Sequence, residues 1–284
     1  MNTVKTAFFL GLLTVLLLLI GELLGGKTGI VIAFVFALIM NFTSYYFSDK
    51  IALSMYKAKE TNKEQSPLLY EIVRKLTERA RLPMPKLYII PSQSPNAFAT
   101  GRNPHHAAVA VTEGALNLLS KEELMGVLGH ELGHVKHRDI LIGSVAATVA
   151  GAIMIVASMA RWAAIFGGFG RSGDNEGGGI IGLIAVAILA PIAAMLIQMA
   201  ISRAREYEAD KAGANFSGNP LYLADALEKL HTYSRSVPLK SAQPSTAHMF
   251  IVNPLKSKTL MNLFSTHPPI EERIKRLKEM TVRS

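Results

Sequence analysis

The stretch GHELGHVKH, residues 129–137, places His130, Glu131 and His134 within five positions and sets His137 three residues further on. On a helix, residues four apart share a face about 6 Å from one another, so the imidazoles of His130 and His134 can converge on one tetrahedral metal ion. Glu131 is turned off that face but stays beside the ion. Zinc lowers the pKa of water to about 7, and a neighbouring carboxylate can take the proton and pass it to a leaving amine. Each of the three residues therefore has a chemical reason to be there, and the pentad reads as half of a zinc-hydrolase site. His137 does not complete it. Seven residues rise about 10.5 Å along a helix while zinc–nitrogen bonds are about 2 Å, so one regular helix cannot deliver His130, His134 and His137 together. The chain has no cysteine, so the third ligand must be another His, Asp or Glu.

Composition sets the surroundings. Half of the 284 residues are hydrophobic and only 18% are charged, the balance of a membrane protein with a soluble part. Four uncharged or nearly uncharged runs, at 7–24, 28–47, 140–160 and 179–201, are each long enough to cross a hydrocarbon core of about 30 Å as a helix. The last two are richer in Gly and Ala, as suits spans packed on other helices. Pro191 is tolerated there because neighbours can satisfy the freed carbonyl. The connector RWAAIFGGFGRSGDNEGGG is Gly-rich and reads as a loop. Lys27, Arg161 and Arg171 alone lie in the two connectors, and the other 27 of the 30 Lys and Arg flank the opposite ends. The positive-inside rule then puts both termini and the soluble parts in the cytoplasm. With such runs present, the net charge of +9 points to anionic lipid and not to nucleic acid.

The expected organisation is a transmembrane hairpin at 1–47, a first soluble part at 48–139, a second hairpin with its Gly-rich loop at 140–201, and a second soluble part at 202–284. In the first soluble part, Ser66 and Pro67 open a helix over SPLLYEIVRKLTERA. KLYII, NAFATG and AAVAVTEG read as short strands. Ser120 to Glu123 form a capping box for a helix expected to run through the motif into the third span. In the second part, Asn219 and Pro220 open another helix, and PPIEERIKRLKEM closes the chain as a basic amphipathic one.

The candidate third ligand lies in SRAREYEAD, residues 202–210. If the third and fourth spans form an antiparallel hairpin, His134 stands six residues outside the membrane and Glu206 five, both roughly 8 or 9 Å at helical rise. Asp210, one turn on, can orient a ligand imidazole. Arg203, one turn before, can pair with a carboxylate or stabilise an oxyanion. Glu208 points elsewhere and reads as solvated.

The set HELGH, SRAREYEAD, PNAFATG and STHPPIEERI, together with the four spans, resembles the HtpX-type membrane zinc metalloproteases, relatives of the CAAX prenyl proteases. The resemblance covers essentially the whole chain. It implies a mainly α membrane protein with four transmembrane helices and a split cytoplasmic α+β, zincin-like (gluzincin) protease domain carrying a small β-sheet. It implies one zinc ion per subunit on His130, His134 and Glu206, with Glu131 as general base. It further implies quality control of misfolded membrane and membrane-associated proteins at a bacterial inner membrane under stress. The lipid bilayer and protein substrates are then the partners. PNAFATG suggests an exposed edge strand to which an extended substrate adds, with Asn96, Ala97 and Phe98 as candidate contacts. His267, in STHPP, is a candidate oxyanion donor, whereas His105, His106 and His248 read as loop or packing residues. Two other readings stay open: a non-proteolytic membrane scaffold or channel with an incidental motif, and an intramembrane site-two-type protease. Lys136, His137, Arg138 and Asp139, directly after the motif, argue against the last.

Overall fold

The computed structural model describes residues 2–150, 153–154, 203–237, 239, 242–243, 245–253 and 267–282. The fourth apolar run, the Gly-rich connector and the end of the third run lie outside these residues.

The chain opens with α1, helical from Asn2 to Met55. It is not straight. Gly26 has a φ of +53°, a left-handed conformation that glycine adopts without a Cβ clash. Asn41 Nδ2 donates to Thr14 Oγ1 at 2.9 Å and to the Leu10 carbonyl at 3.4 Å. On a straight helix the residues of the first pair would be about 40 Å apart. The helix therefore folds back at Gly26, and the two apolar runs expected to form a hairpin lie side by side. The second arm, Gly26–Met55, is long and apolar enough to cross a membrane by length and composition, and Leu10–Leu19 of the first arm is a shorter apolar helix.

A four-stranded sheet follows, ordered β1-β2-β4-β3, from β1 (Lys59–Thr61), β2 (Lys86–Ile90), β3 (Ala97–Gly101) and β4 (Ala107–Thr112). Only β2 and β4 are parallel; β1 and β3 flank them antiparallel, which leaves β3 on an edge. β4 is buried along its whole length, and its alternation serves two cores. Val109 and Val111 face a main core with α2 (Pro67–Ala80) and the later helices, while Ala108 and Ala110 face a second core with Phe98, Phe250, Ala52 and Leu53 of α1 and Tyr56 just past its end. The rings of Tyr56, Phe98 and Phe250 stack in tilted and edge-on contacts with centroids 4.9–5.9 Å apart, binding the foot of α1 to the sheet.

After the short α3 (Glu113–Leu118) comes α4 (Lys121–Lys136), which carries the motif. Its start is the expected capping box, with Ser120 Oγ accepting from Glu123 N and the Glu123 carboxylate accepting from Ser120 N. Ser66, by contrast, does not cap α2 through its side chain; its hydroxyl bonds Thr61 Oγ1 instead. Asn219 does cap the helix it precedes.

The expectation of one helix from the motif into the third span is wrong. α4 stops at Lys136, His137 is its C-cap and Arg138 takes a φ of +59°, so α5 (Asp139–Ala150) starts as a new helix. The remaining helices are α6 (Arg203–Ser217), α7 (Pro220–Ser236) and α8 (Ile270–Val282). α4 meets α6 and α7 backbone to backbone at glycines. A Cβ on Gly126 would lie 2.4 Å from Leu223 N, and one on Gly213 would lie 2.7 Å from His130 N. That close approach brings α6 to the motif.

Candidate metal centre

His130 and His134 project from α4 and Glu206 from the first turn of α6, into a cleft roofed by residues 248–251 and flanked by Asp139 and Arg205. The Nε2 atoms of the two histidines stand 3.2 Å apart, and Glu206 oxygens lie 3.5 Å from His134 Nε2 and 3.8 Å from His130 Nε2. Tetrahedral zinc with bonds of about 2.0–2.1 Å holds its donors about 3.3 Å apart; the histidine pair meets that spacing, Oε1 of Glu206 faces His134 and Oε2 faces His130, and one ligand atom from each residue lies within 4.8 Å of the others, so the three residues fit a common ion. Among the described residues this is the one cluster of three His or carboxylate groups close enough to share a metal, and His137 is exposed outside it.

Each candidate ligand is held from behind. His130 Nδ1 donates to Asp210 Oδ1 at 2.8 Å, the contact expected one turn beyond Glu206, which frees Nε2 as the donor to a metal. Asp210 is in turn gripped by the fully buried Arg273 of α8, through Nε at 2.9 Å and Nη2 at 2.6 Å. Arg273 Nη2 also comes within 3.3 Å of His130 Nδ1, but with that nitrogen donating to Asp210 this is proximity and not a bond. His134 Nδ1 faces Asp139 Oδ2 at 3.4 Å, and Asp139 Oδ1 accepts from Arg205 Nη1 at 2.8 Å. Glu206 Oε2 faces His267 Nδ1 at 2.7 Å, while His267 Nε2 reaches the His248 carbonyl at 3.2 Å.

Glu131 is buried beside the cluster, and its Oε2 accepts from the backbone N–H of Ala99 on the edge strand at 2.8 Å. The strand thus aims the carboxylate at the cleft.

The electrostatics suit a cation. Burial pushes His130 down to about 4, against the pull of Asp210. Burial acts on His134 in the same sense, yet Asp139, Glu206 and Glu131 together outweigh it and lift that imidazole to about 9. Burial would raise Glu206, but His267, His134 and His130 hold it well below the usual carboxylate range. Asp210 likewise resists burial and sits near about 2 because of Arg273 and His130. Glu131, with fewer partners, is raised by burial to about 8. A site that raises the proton affinity of one histidine and keeps a buried carboxylate ionised favours positive charge at its centre.

Other expected contacts fall differently. Arg203 is exposed and does not line the cleft; its neighbour Arg205 takes the place beside a carboxylate. Asn96 is buried, and its side chain is spent inside the protein, donating to Val252 O at 2.8 Å and accepting from Ala97 N at 3.1 Å. The Ala97 carbonyl accepts from Ile251 N, and the Phe98 ring is in the second core. These three residues do not line the cleft; they hold the segment at 248–251 that roofs it. His267 has both ring nitrogens on internal acceptors, so reaching an oxyanion would require release of one. Glu208, His105 and His106 are exposed. His248, read as a packing residue, lines the cleft and donates from Nε2 to Gly143 O at 3.0 Å. Asp139, Arg205, Arg273 and the Ala99 N–H carry no local sequence signal of their own.

Two histidines one turn apart, a carboxylate from a second helix and a carboxylate held beside them define a metal-dependent hydrolase site. The Peptidase family M48 profile matches residues 63–281, and the chain belongs to that family and is a metalloprotease. It is 62% identical over 278 residues to a protein named Protease HtpX homolog of Desulforapulum autotrophicum, covering 98% of this chain and 89% of that one. It is 60% identical over 276 residues to the Protease HtpX homolog of Desulfatibacillum aliphaticivorans, covering 97% and 89%. Among solved structures, Ste24p of S. mikatae matches 97% of this chain with a TM-score of 0.53 at 20% identity, a likeness of fold; the chain spans 64% of that protein's length.

Proposed function

We propose that this protein is a zinc-dependent endopeptidase of the bacterial inner membrane that cleaves misfolded or damaged membrane and membrane-associated proteins on the cytoplasmic side. The observation that carries the reading is the convergence of one ligand atom each from His130, His134 and Glu206 to within 4.8 Å of one another, with the Glu131 carboxylate held alongside. The fold-back of α1 at Gly26 and the apolar length of Gly26–Met55 support attachment to a bilayer.

His130, His134 and Glu206 would hold the ion. Zinc there would polarise the scissile carbonyl and acidify water. Glu131 is placed to take the proton from the attacking water and return it to the amine nitrogen as the C–N bond breaks. Its bond to Ala99 N ties that carboxylate to the strand edge along which an extended substrate would lie. With the Ala97 carbonyl occupied by Ile251 N and the Ala99 N–H by Glu131, an extended substrate would meet the edge from the Ala99 carbonyl onward. Arg205, on the cleft wall, adds positive charge beside the reacting carbonyl.

The test compares wild type with Glu131→Gln for cleavage of an unfolded protein in detergent, with bound zinc measured in both. Loss of cleavage with zinc retained is expected; equal cleavage refutes the role of Glu131. For sidedness, the absence of native cysteine makes single-cysteine labelling clean. A cysteine at the exposed Glu64 should react only after the cytoplasmic face is opened, and labelling from the outside refutes the orientation.

A further inference from the structure

The two ligand imidazoles are backed in parallel ways. Behind His130 stand Asp210 and Arg273; behind His134 stand Asp139 and Arg205, with Asp139 Oδ2 3.4 Å from His134 Nδ1 and Arg205 Nη1 donating to Asp139 Oδ1 at 2.8 Å. All three side chains of the second set are largely shielded, at 17% exposure for His134, 11% for Asp139 and 16% for Arg205. A charge pair this sheltered is fixed more firmly than a surface one.

The contact exists because α4 breaks. On a continuous helix Asp139, five residues past His134, would point about 140° away from it and about 7.5 Å further along the axis. The left-handed turn at Arg138 starts α5 afresh and swings the carboxylate back to the imidazole. Position in the chain adds a second point. Asp139 is the last residue before the third apolar run, and Arg205 follows closely on the fourth. Their ion pair therefore clasps the outgoing and returning ends of the inserted segment at its root, against a metal ligand.

We propose that Asp139 is a positioning residue for the metal: it accepts the Nδ1 proton of His134, fixes the tautomer that offers Nε2 to zinc, and is itself held in place by Arg205. The proposal rests on the zinc-peptidase reading and deepens it. A carboxylate behind a ligand imidazole orients the ring and raises its basicity, and loss of such a partner typically costs about 10–100-fold in metal affinity.

The experiment measures zinc affinity of the full chain in detergent by chelator competition, together with thermal unfolding of the zinc-free protein. Asp139→Ala is expected to weaken zinc about 10–100-fold. Asp139→Asn, whose amide oxygen still accepts from Nδ1, should recover most of that loss, and it guards against a misfolded alanine variant. Arg205→Gln should cost less than Asp139→Ala, and should cost nothing further in the Asp139→Ala background, because Arg205 acts through Asp139. Unchanged affinity in Asp139→Ala, no recovery in Asp139→Asn, or fully additive losses would each overturn the assignment. If wild type itself binds no zinc, or His134→Ala binds it as wild type does, the zinc-peptidase reading fails instead.

Discussion

Gly213→Ala isolates the packing that builds the site. Gly213 on α6 faces Gly129 and His130 on α4, and an added methyl would lie 2.7 Å from His130 N and 3.0 Å from its Cα. Ordinary contact begins near 3.4 Å, so the helices must separate by about 0.7 Å, and both partner atoms are backbone with no side chain to swing aside. Overpacking of this kind costs about 1–3 kcal/mol, while exchanging glycine for alanine inside a helix returns up to about 1 kcal/mol. The net loss of stability is then modest, about 2 kcal/mol at most. The effect on the metal is not. His130 and His134 travel with α4 and Glu206 with α6, and metal–ligand distances tolerate only about 0.2 Å. We expect a small fall in melting temperature of the zinc-free protein but a loss of zinc affinity of at least tenfold, read by chelator competition. Gly143→Ala is the control, since a methyl there meets nothing nearer than His248 Nε2 at 3.9 Å. If Gly213→Ala binds zinc like wild type, the close approach of α4 and α6 does not set the ligand geometry and the reasoning is refuted.

Four further outcomes are expected. Arg273→Met strips the buried Asp210 of its charge partner and should destabilise the protein by about 3–5 kcal/mol in denaturant unfolding, provided Asp210 stays ionised. Phe98→Ala removes one corner of the triangle of rings formed by Tyr56, Phe98 and Phe250 and should cost about 3–5 kcal/mol, with proteolysis at the foot of α1 increasing in step. Ser120→Ala deletes one arm of the capping box at the start of the motif helix and should cost about 0.5–2 kcal/mol, with zinc affinity unchanged. Free zinc at 100 times its dissociation constant should stabilise the folded protein by about 2.7 kcal/mol, and a melting temperature unmoved by zinc or by chelator would argue against a preformed site.

What could be read from the sequence was what one helix decides. Spacing of four placed His130 and His134 on one face, helical rise discarded His137, and the Ser120–Glu123 pattern marked where the helix begins. The strands at 86–90, 97–101 and 107–112 are legible as short apolar stretches separated by Pro, Ser, Asn and Gly, whereas the three-residue β1, with Lys, Glu and Thr, has no apolar signal to find. What needed the third dimension was missed or misplaced. Arg138 in a left-handed turn lacks the glycine that usually announces a helix stop, so α4 was expected to continue and Asp139 went unassigned. Helical offset placed Arg203 nearer than Arg205 to the face of Glu206, but the carboxylate that selects an arginine comes from α5, which no pattern in 202–210 encodes. Asn96 looked available because its partner, Val252, is 156 residues away in the chain.

Equal heights above a membrane hairpin point to Glu206, yet a different cause brings it to His134. Matching rise would bring two parallel helices level only if both left the bilayer unbroken, and α4 is separated from α5 by the turn at Arg138. The contact is made by glycines: Gly129 and Gly133 of α4 against Gly213, Ala209 and Ala212 of α6, where no side chain larger than a methyl intervenes. Small residues at a spacing of four are the mark of helices that touch along their backbones, and they occur here within the motif itself. Gly129 and Gly133 each precede a ligand, His130 and His134. The stretch GHELGH thus carries two kinds of information in adjacent residues, the candidate donors for a metal and the smooth face that lets the helix of Glu206 approach them.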